Sequence, residues 1–129
     1  MSGPCTGRLV GPRVRVTGPA SGVAGFRAAA ASAGLPVVGP AGRTARKKQR
    51  PPRATTVRLV DSTGGAARGD VVVALDTPYA LGGSTAPVRI ATYGETPGAF
   101  DALVSVLLGR STAPGRLPVD VPGVPRDGC

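Results

Sequence analysis

The run Val71-Val72-Val73-Ala74-Leu75, bracketed by Asp70 and Asp76, constrains the fold more than any other stretch of this chain. It is apolar at every position, so both faces of the strand it forms must be covered, as in the centre of a parallel sheet. The flanking sequence supplies the rest of such a sheet. Residues 13–17 read as a short strand and Gly18-Pro19 as a turn. Ser21 is expected to cap a helix running to about Ala33, with Val23, Phe26 and Ala30 on one side and Gly34 as terminator. Residues 35–38 then read as a second strand, which makes a βαβ unit with an expected right-handed crossover. Residues 56–60 read as a third strand, 70–75 as the fourth and 88–91 as a fifth, with a turn, helical near 79–81, before the fifth. No internal repeat is present.

Residues 90–121, IATYGETPGAFDALVSVLLGRSTAPGRLPVDV, have the clearest local grammar. The Thr96 hydroxyl can cap a helix, and Pro97 suits the first helical position because no N–H is needed there. Phe100, Leu103, Val104, Leu107 and Leu108 follow at i, i+3, i+4, i+7 and i+8, which makes one buried stripe. Asp101 and Ser105 fall on the other face. Gly109 can take the left-handed conformation that ends a helix, and Pro114-Gly115 turns the chain. Leu117, Val119 and Val121 alternate with Arg116, Pro118, Asp120 and Pro122. Proline cannot donate to a ladder, so this strand is expected at a sheet edge.

A chain of 129 residues is one domain by size. With 17 Val, 9 Leu, two Phe, two Tyr and no Trp, its core must be assembled from small pieces. The net charge of +9 is unevenly placed: residues 1–60 hold eleven basic residues and no acidic one, whereas residues 61–129 hold five basic and seven acidic ones. Residues 42–53, GRTARKKQRPPR, carry six basic residues and two adjacent prolines and are expected to form a mobile loop. That run can contact phosphates through counterion release. It lacks the helix, aromatic platform or metal finger of sequence-specific readers, so salt-sensitive adhesion is the reading and no dedicated nucleic-acid function is expected. No stretch approaches the ~20 apolar residues of a membrane span. The start, MSGPCTGRLVGPRVRV, lacks the apolar run of a secretory signal.

Histidine and asparagine are absent, which removes any Ser/His/Asp or Cys/His nucleophilic system. With two cysteines and no histidine, neither a metal site nor any other cofactor site is expected. Cys5 and Cys129 sit at opposite ends of the chain. They either pair, for ~3–5 kcal/mol in an oxidising compartment, or remain exposed thiols. The segment TGPASGVAG lies between a strand and a helix, as phosphate loops do, but lacks their glycine spacing and their Gly-Lys-Ser/Thr ending. Gly18, Gly22 and Gly25 are instead expected to allow a tight strand-to-helix turn.

Composition and spacing by themselves give a small α/β domain. LLGRSTAPGRLPVDV resembles the closing segment of family 3 glycoside hydrolases, and VVVALDTPYALGGSTAPVRIATYGETPGA resembles the matching part of their bacterial β-N-acetylhexosaminidase branch. The resemblance is strong over residues 70–122, weaker over 10–38 and absent over 42–53. It implies a three-layer α/β sandwich with a mostly parallel sheet and a C-terminal edge strand, spanning residues 1–129. It also implies an accessory domain partnered by a (β/α)8 barrel, which this chain is too short to contain and which supplies the nucleophile and, in this branch, the acid/base. The parent reaction is hydrolysis of terminal β-N-acetylhexosamine, with carbohydrate touching this domain only indirectly. Family members are often exported, so the compartment stays open.

Glycoside hydrolysis needs two carboxyl groups about the scissile bond. Asp76 and Glu95 are the local candidates, because both follow predicted parallel strands and so emerge at the carboxyl edge. Their ordinary roles are a turn cap through Thr77 and a solvated surface carboxylate, and no residue here inherits a catalytic role. Asp76, Thr77, Tyr79 and Tyr93 are expected to face the cleft or the barrel, with packing favoured over sugar stacking for the two tyrosines. The competing reading is a small basic α/β interaction protein that contacts polyanions through residues 42–53.

Overall fold

The computed structural model describes residues 7–38, 54–61, 68–112 and 121. The basic run 42–53, Cys5, Cys129 and the expected edge strand, apart from Val121, lie outside the described residues. The chain builds an α/β fold on a four-stranded, wholly parallel sheet. The strands are β1 (Val14–Thr17), β2 (Thr55–Val60), β3 (Val71–Ala74) and β4 (Val88–Ala91), arranged in that order. Among the described residues there are also two α-helices, α1 (Ala20–Ala33) and α2 (Pro97–Leu107), and a 3₁₀ helix, η1 (Pro78–Gly83).

The doubly apolar run lies where its composition demands. All four residues of β3 are buried, and the strand hydrogen-bonds to β2 on one side and β4 on the other. Its two faces enter two separate cores. Val71 and Val73, with Leu75 just beyond, pack under the helices together with Val14, Val16, Val57, Leu59, Val88 and Ile90. Val72 and Ala74 face the other way, onto Val60, Leu81 of η1, Ala86 and Val121. Among the described residues the helical layer is therefore the thick one, and the opposite layer consists of η1 and the Val121 contact.

Residues 35–38 are expected to be a full strand, yet only Val37 bridges β1, opposite Val14. The Pro36 carbonyl accepts from the Val14 N–H at 3.0 Å and the Val38 N–H donates to the Val14 carbonyl at 2.9 Å. Pro36 has no N–H of its own to extend the ladder. Even so, this strip fixes the topology. From β1 the chain crosses over the helical face to the outer side of β1, whereas from β3 it crosses the opposite face, through η1, in the other direction to β4 at the far edge. Reversing both the face and the direction keeps one hand of crossover, as parallel connections require. The direction of winding changes between β1 and β2.

Both helices end as glycine dictates. Gly34 and Gly109 take φ of 78° and 75°. Behind Gly34, the Leu35 N–H reaches the Ala30 carbonyl at 2.9 Å, and behind Gly109 the Arg110 N–H reaches Ser105 at 2.9 Å, so each end forms a Schellman motif. At the start of α2, the Thr96 hydroxyl accepts from the Ala99 N–H at 3.1 Å, with Pro97 in the first turn as expected. Phe100, Leu103, Val104 and Leu107 are buried, which stabilises the fold by roughly 1.5–3 kcal/mol for each side chain as an upper bound. The start of α1 departs from expectation. Pro19 occupies the N-cap position without a side-chain cap, and Ser21 falls inside the helix. The turn at Gly18-Pro19 is so short that the helix begins before Ser21 can reach back.

Of the three glycines near that turn, only Gly18 serves the turn itself. Its φ is 142°, and a Cβ there would stand 2.4 Å from the Leu59 carbonyl oxygen. Gly22 and Gly25 lie within α1 and allow close packing. A Cβ on Gly22 would meet Leu75 Cδ1 at 2.9 Å, and one on Gly25 would meet the Phe100 ring at 2.4 Å. Gly18→Ala is expected to lower the urea midpoint by an amount equivalent to about 1–3 kcal/mol from backbone strain alone. Gly98→Ala, which meets nothing within 4 Å, leaves the midpoint unchanged or raises it. Equal midpoints for the two variants would contradict this account of Gly18.

Candidate functional site at the carboxyl edge

Parallel strands deliver everything that follows their carboxyl ends to one edge of the sheet, the usual ligand edge of open α/β folds. Here that edge gathers the Gly18 turn after β1, Asp76 and Thr77 after β3, Tyr79 at the start of η1, and Tyr93 and Glu95 after β4. All the sequence-predicted site residues in the described part of the chain therefore share one rim.

Ligands of such sheets bind where the winding reverses, between β1 and β2 in this fold. That crevice is closed by the chain itself. Gly18 presses its backbone against Leu59 at the end of β2. The adjoining N-terminus of α1, which lacks a side-chain cap, meets a carboxylate from the same molecule: Glu95 Oε1 lies 3.5 Å from Ser21 Oγ and 3.4 Å from the Cβ position of Gly22. A carboxylate beside the positive end of a helix dipole is favourable and keeps other anions away. The phosphate-loop reading of TGPASGVAG thus meets a repulsive charge where a phosphate would sit, and Glu95 acquires a structural role linking the β4–α2 loop to α1.

Asp76 is exposed, and its Oδ1 accepts from the Thr77 N–H at 2.7 Å, the turn-capping role that competes with catalysis for this residue. The two carboxylates are thus held by different partners, one by a backbone amide and the other facing a hydroxyl at a helix end. Thr92 secures the base of the loop, donating from its N–H to the Ala74 carbonyl at 2.9 Å and from its hydroxyl to Gly94 at 3.0 Å.

The residues left facing outward are the tyrosines. Tyr79 is 60% and Tyr93 47% exposed, the only large hydrophobic side chains so placed among the described residues. Tyr93 also has φ of 56°, the one positive value outside glycine among them. Left-handed backbone costs an L-residue other than Gly, Asn or Asp roughly 1–2 kcal/mol. Partial burial, and then the neighbouring Tyr79, push the Tyr93 hydroxyl above the ordinary tyrosine value of 10.0. A raised folded-state pKa means that the neutral phenol's contribution holds below pH 10 and is lost as pH climbs through the raised value. Sequence reasoning placed both tyrosines after strands, but nothing in a tyrosine announces a positive φ.

A groove of about 250 Å³ lies between α1 and α2 on the helical face, lined by Gly25, Ala29, Ser32, Phe100 and the carboxylates of Glu95 and Asp101. It offers one hydroxyl and two like charges. Among the described residues no group of three His, Cys, Asp or Glu side chains gathers to hold a metal ion, and no helix is long and apolar enough to cross a membrane. No protein-family model, curated protein or solved structure matches this chain.

Two outcomes are expected at the rim. Tyr79→Phe lowers the Tyr93 pKa part of the way towards 10.0, read by phenolate absorbance, because it removes the smaller of the two causes. Tyr93→Asn, which relieves the left-handed strain, raises the denaturation midpoint by an amount equivalent to about 1 kcal/mol. A lowered midpoint would mean that the ring contributes more by packing than the backbone costs.

Proposed function

We propose that this chain is an accessory α/β domain of the family 3 glycoside hydrolase type, working beside a (β/α)8 barrel that hydrolyses terminal β-N-acetylhexosamine. Its share is to dock on the barrel and steady the loops around the cleft, with no turnover of its own. The observation that carries this reading is the carboxyl rim: two exposed tyrosines, one on strained backbone, stand where a neighbouring domain or the cleft would meet the sheet. The resemblance across residues 70–122 supports it, and the described part of that span folds as β3, η1, β4 and the Thr96-capped α2. The chemistry supports an accessory share, since the chain has no histidine and its two rim carboxylates contact different groups, Asp76 the Thr77 N–H and Glu95 the Ser21 hydroxyl.

Strained residues cluster where binding or switching compensates for them. A Tyr93 that gained contacts on docking would explain why a less costly residue does not stand there. The expected result is that the purified 129-residue protein releases no fluorophore from a fluorogenic N-acetyl-β-glucosaminide. Mixed with a separately purified barrel of the hexosaminidase branch, it forms a one-to-one complex that Tyr93→Asn weakens. Robust release by the chain alone, or the absence of any complex, overturns the reading.

A further inference from the structure

In a parallel sheet both faces are normally covered and apolar. The two α-helices here lie on one face, and on the other η1 and Val121 cover the β2–β4 region around Val72 and Ala74. The β1–β2 side of that second face is polar. Strand alternation puts Arg15 and Thr17 of β1 and Thr56 and Arg58 of β2 on it, and the register sets Arg15 beside Thr56 and Thr17 beside Arg58. The two arginines therefore stand diagonally across one pair of strands, each next to a threonine.

Their donors are underused. Arg58 is exposed, and its Nη1 reaches only the Thr17 hydroxyl, at 3.4 Å. Arg15 is half-buried, and its Nε is buried without a hydrogen-bond partner. Arg89, on β4, donates from Nη1 to the Leu81 and Ser84 carbonyls at 3.4 Å and so holds the end of η1. The nearest described carboxylate along the row, Asp70, is engaged by the Thr56 N–H at 2.8 Å.

We propose that this face of β1 and β2, which no helix among the described residues covers, binds the phosphate backbone of nucleic acid, without sequence preference. Charge complementarity selects an anion, since residues 1–60, which include both strands, contain no acidic residue. The kind of donor selects phosphate over an acidic protein surface. Protein interfaces take their energy from buried aromatic and apolar anchors, and the exposed tyrosines lie instead at the far rim, after β3 and within η1 and after β4. Phosphate contacts need only Arg and Thr donors, which this face supplies. Among the described residues it presents no helix to enter a groove, so base readout is not expected. This surface is distinct from the docking rim, and either can fail without the other.

The test is fluorescence anisotropy of the full chain with two unrelated 20-base-pair duplexes across a range of salt concentrations. Each phosphate contact contributes about 0.9 to the slope of log affinity against log salt. Arg58→Gln is expected to reduce the slope by about one, and Arg15→Gln with Arg58→Gln by about two, equally for both duplexes. Arg15→Lys with Arg58→Lys keeps the slope. Circular dichroism checks folding, and the exposed Arg58 position supplies a reading even if Arg15 variants unfold. Slopes unchanged in the folded Gln variants, retention on heparin without DNA binding, or no DNA binding at low salt overturns the proposal.

Discussion

The contact on which the structure depends is that of the Phe100 ring with the bare backbone of Gly25. The chain has two phenylalanines and no tryptophan, and both, Phe26 of α1 and Phe100 of α2, are fully buried in the same helical layer. A core made mainly of valine and leucine, with only two aromatic rings, offers modest area per residue, so the helices must approach closely to exclude water. Gly22 and Gly25 permit that approach, the first onto Leu75 at the end of β3 and the second onto Phe100. The rim residues inherit their positions from this contact, because Glu95 immediately precedes the Thr96 cap and faces Ser21 in the first turn of α1.

Patterns that repeat within a few residues were legible in the sequence. The buried stripe of α2, its Thr96 cap, its Gly109 terminator and the two-faced burial of β3 all follow from local spacing and chemistry. Contacts set by distant partners were not legible. Gly25 read as part of a turn because its partner, Phe100, is three strands further along the chain. Ser21 read as a cap because capping is the usual work of a serine at a helix start, and the structure gives that end of α1 to Glu95 instead. The stretch 35–38 had strand composition, but Pro36 limits it to one bridge.

The candidate site divides in the same way. That Asp76, Tyr79, Tyr93 and Glu95 share an edge follows from alternating strands and crossovers. How each is held does not: the Asp76 turn, the placement of Glu95 at α1 and the left-handed Tyr93 depend on backbone detail that no local pattern encodes. The arginine pair on the opposite face illustrates the same limit. Arg15 and Arg58 are separated in sequence by a helix and a long connection, and only strand register makes them neighbours.

The late position of α2 has a consequence for biosynthesis. On a ribosome, α1 emerges and can coil long before its cover exists, for the Phe100 ring that seals Gly25 and the strand β3 beneath Gly22 are still to be translated. Until then the Phe26 face stands open in a chain that cannot complete its parallel sheet, the kind of nascent intermediate that holdase chaperones shield. The Leu9 N–H then binds the Leu107 carbonyl at 2.9 Å, and the Gly109 backbone seats against Gly7, so the first described residues find their partners only when the last helix arrives.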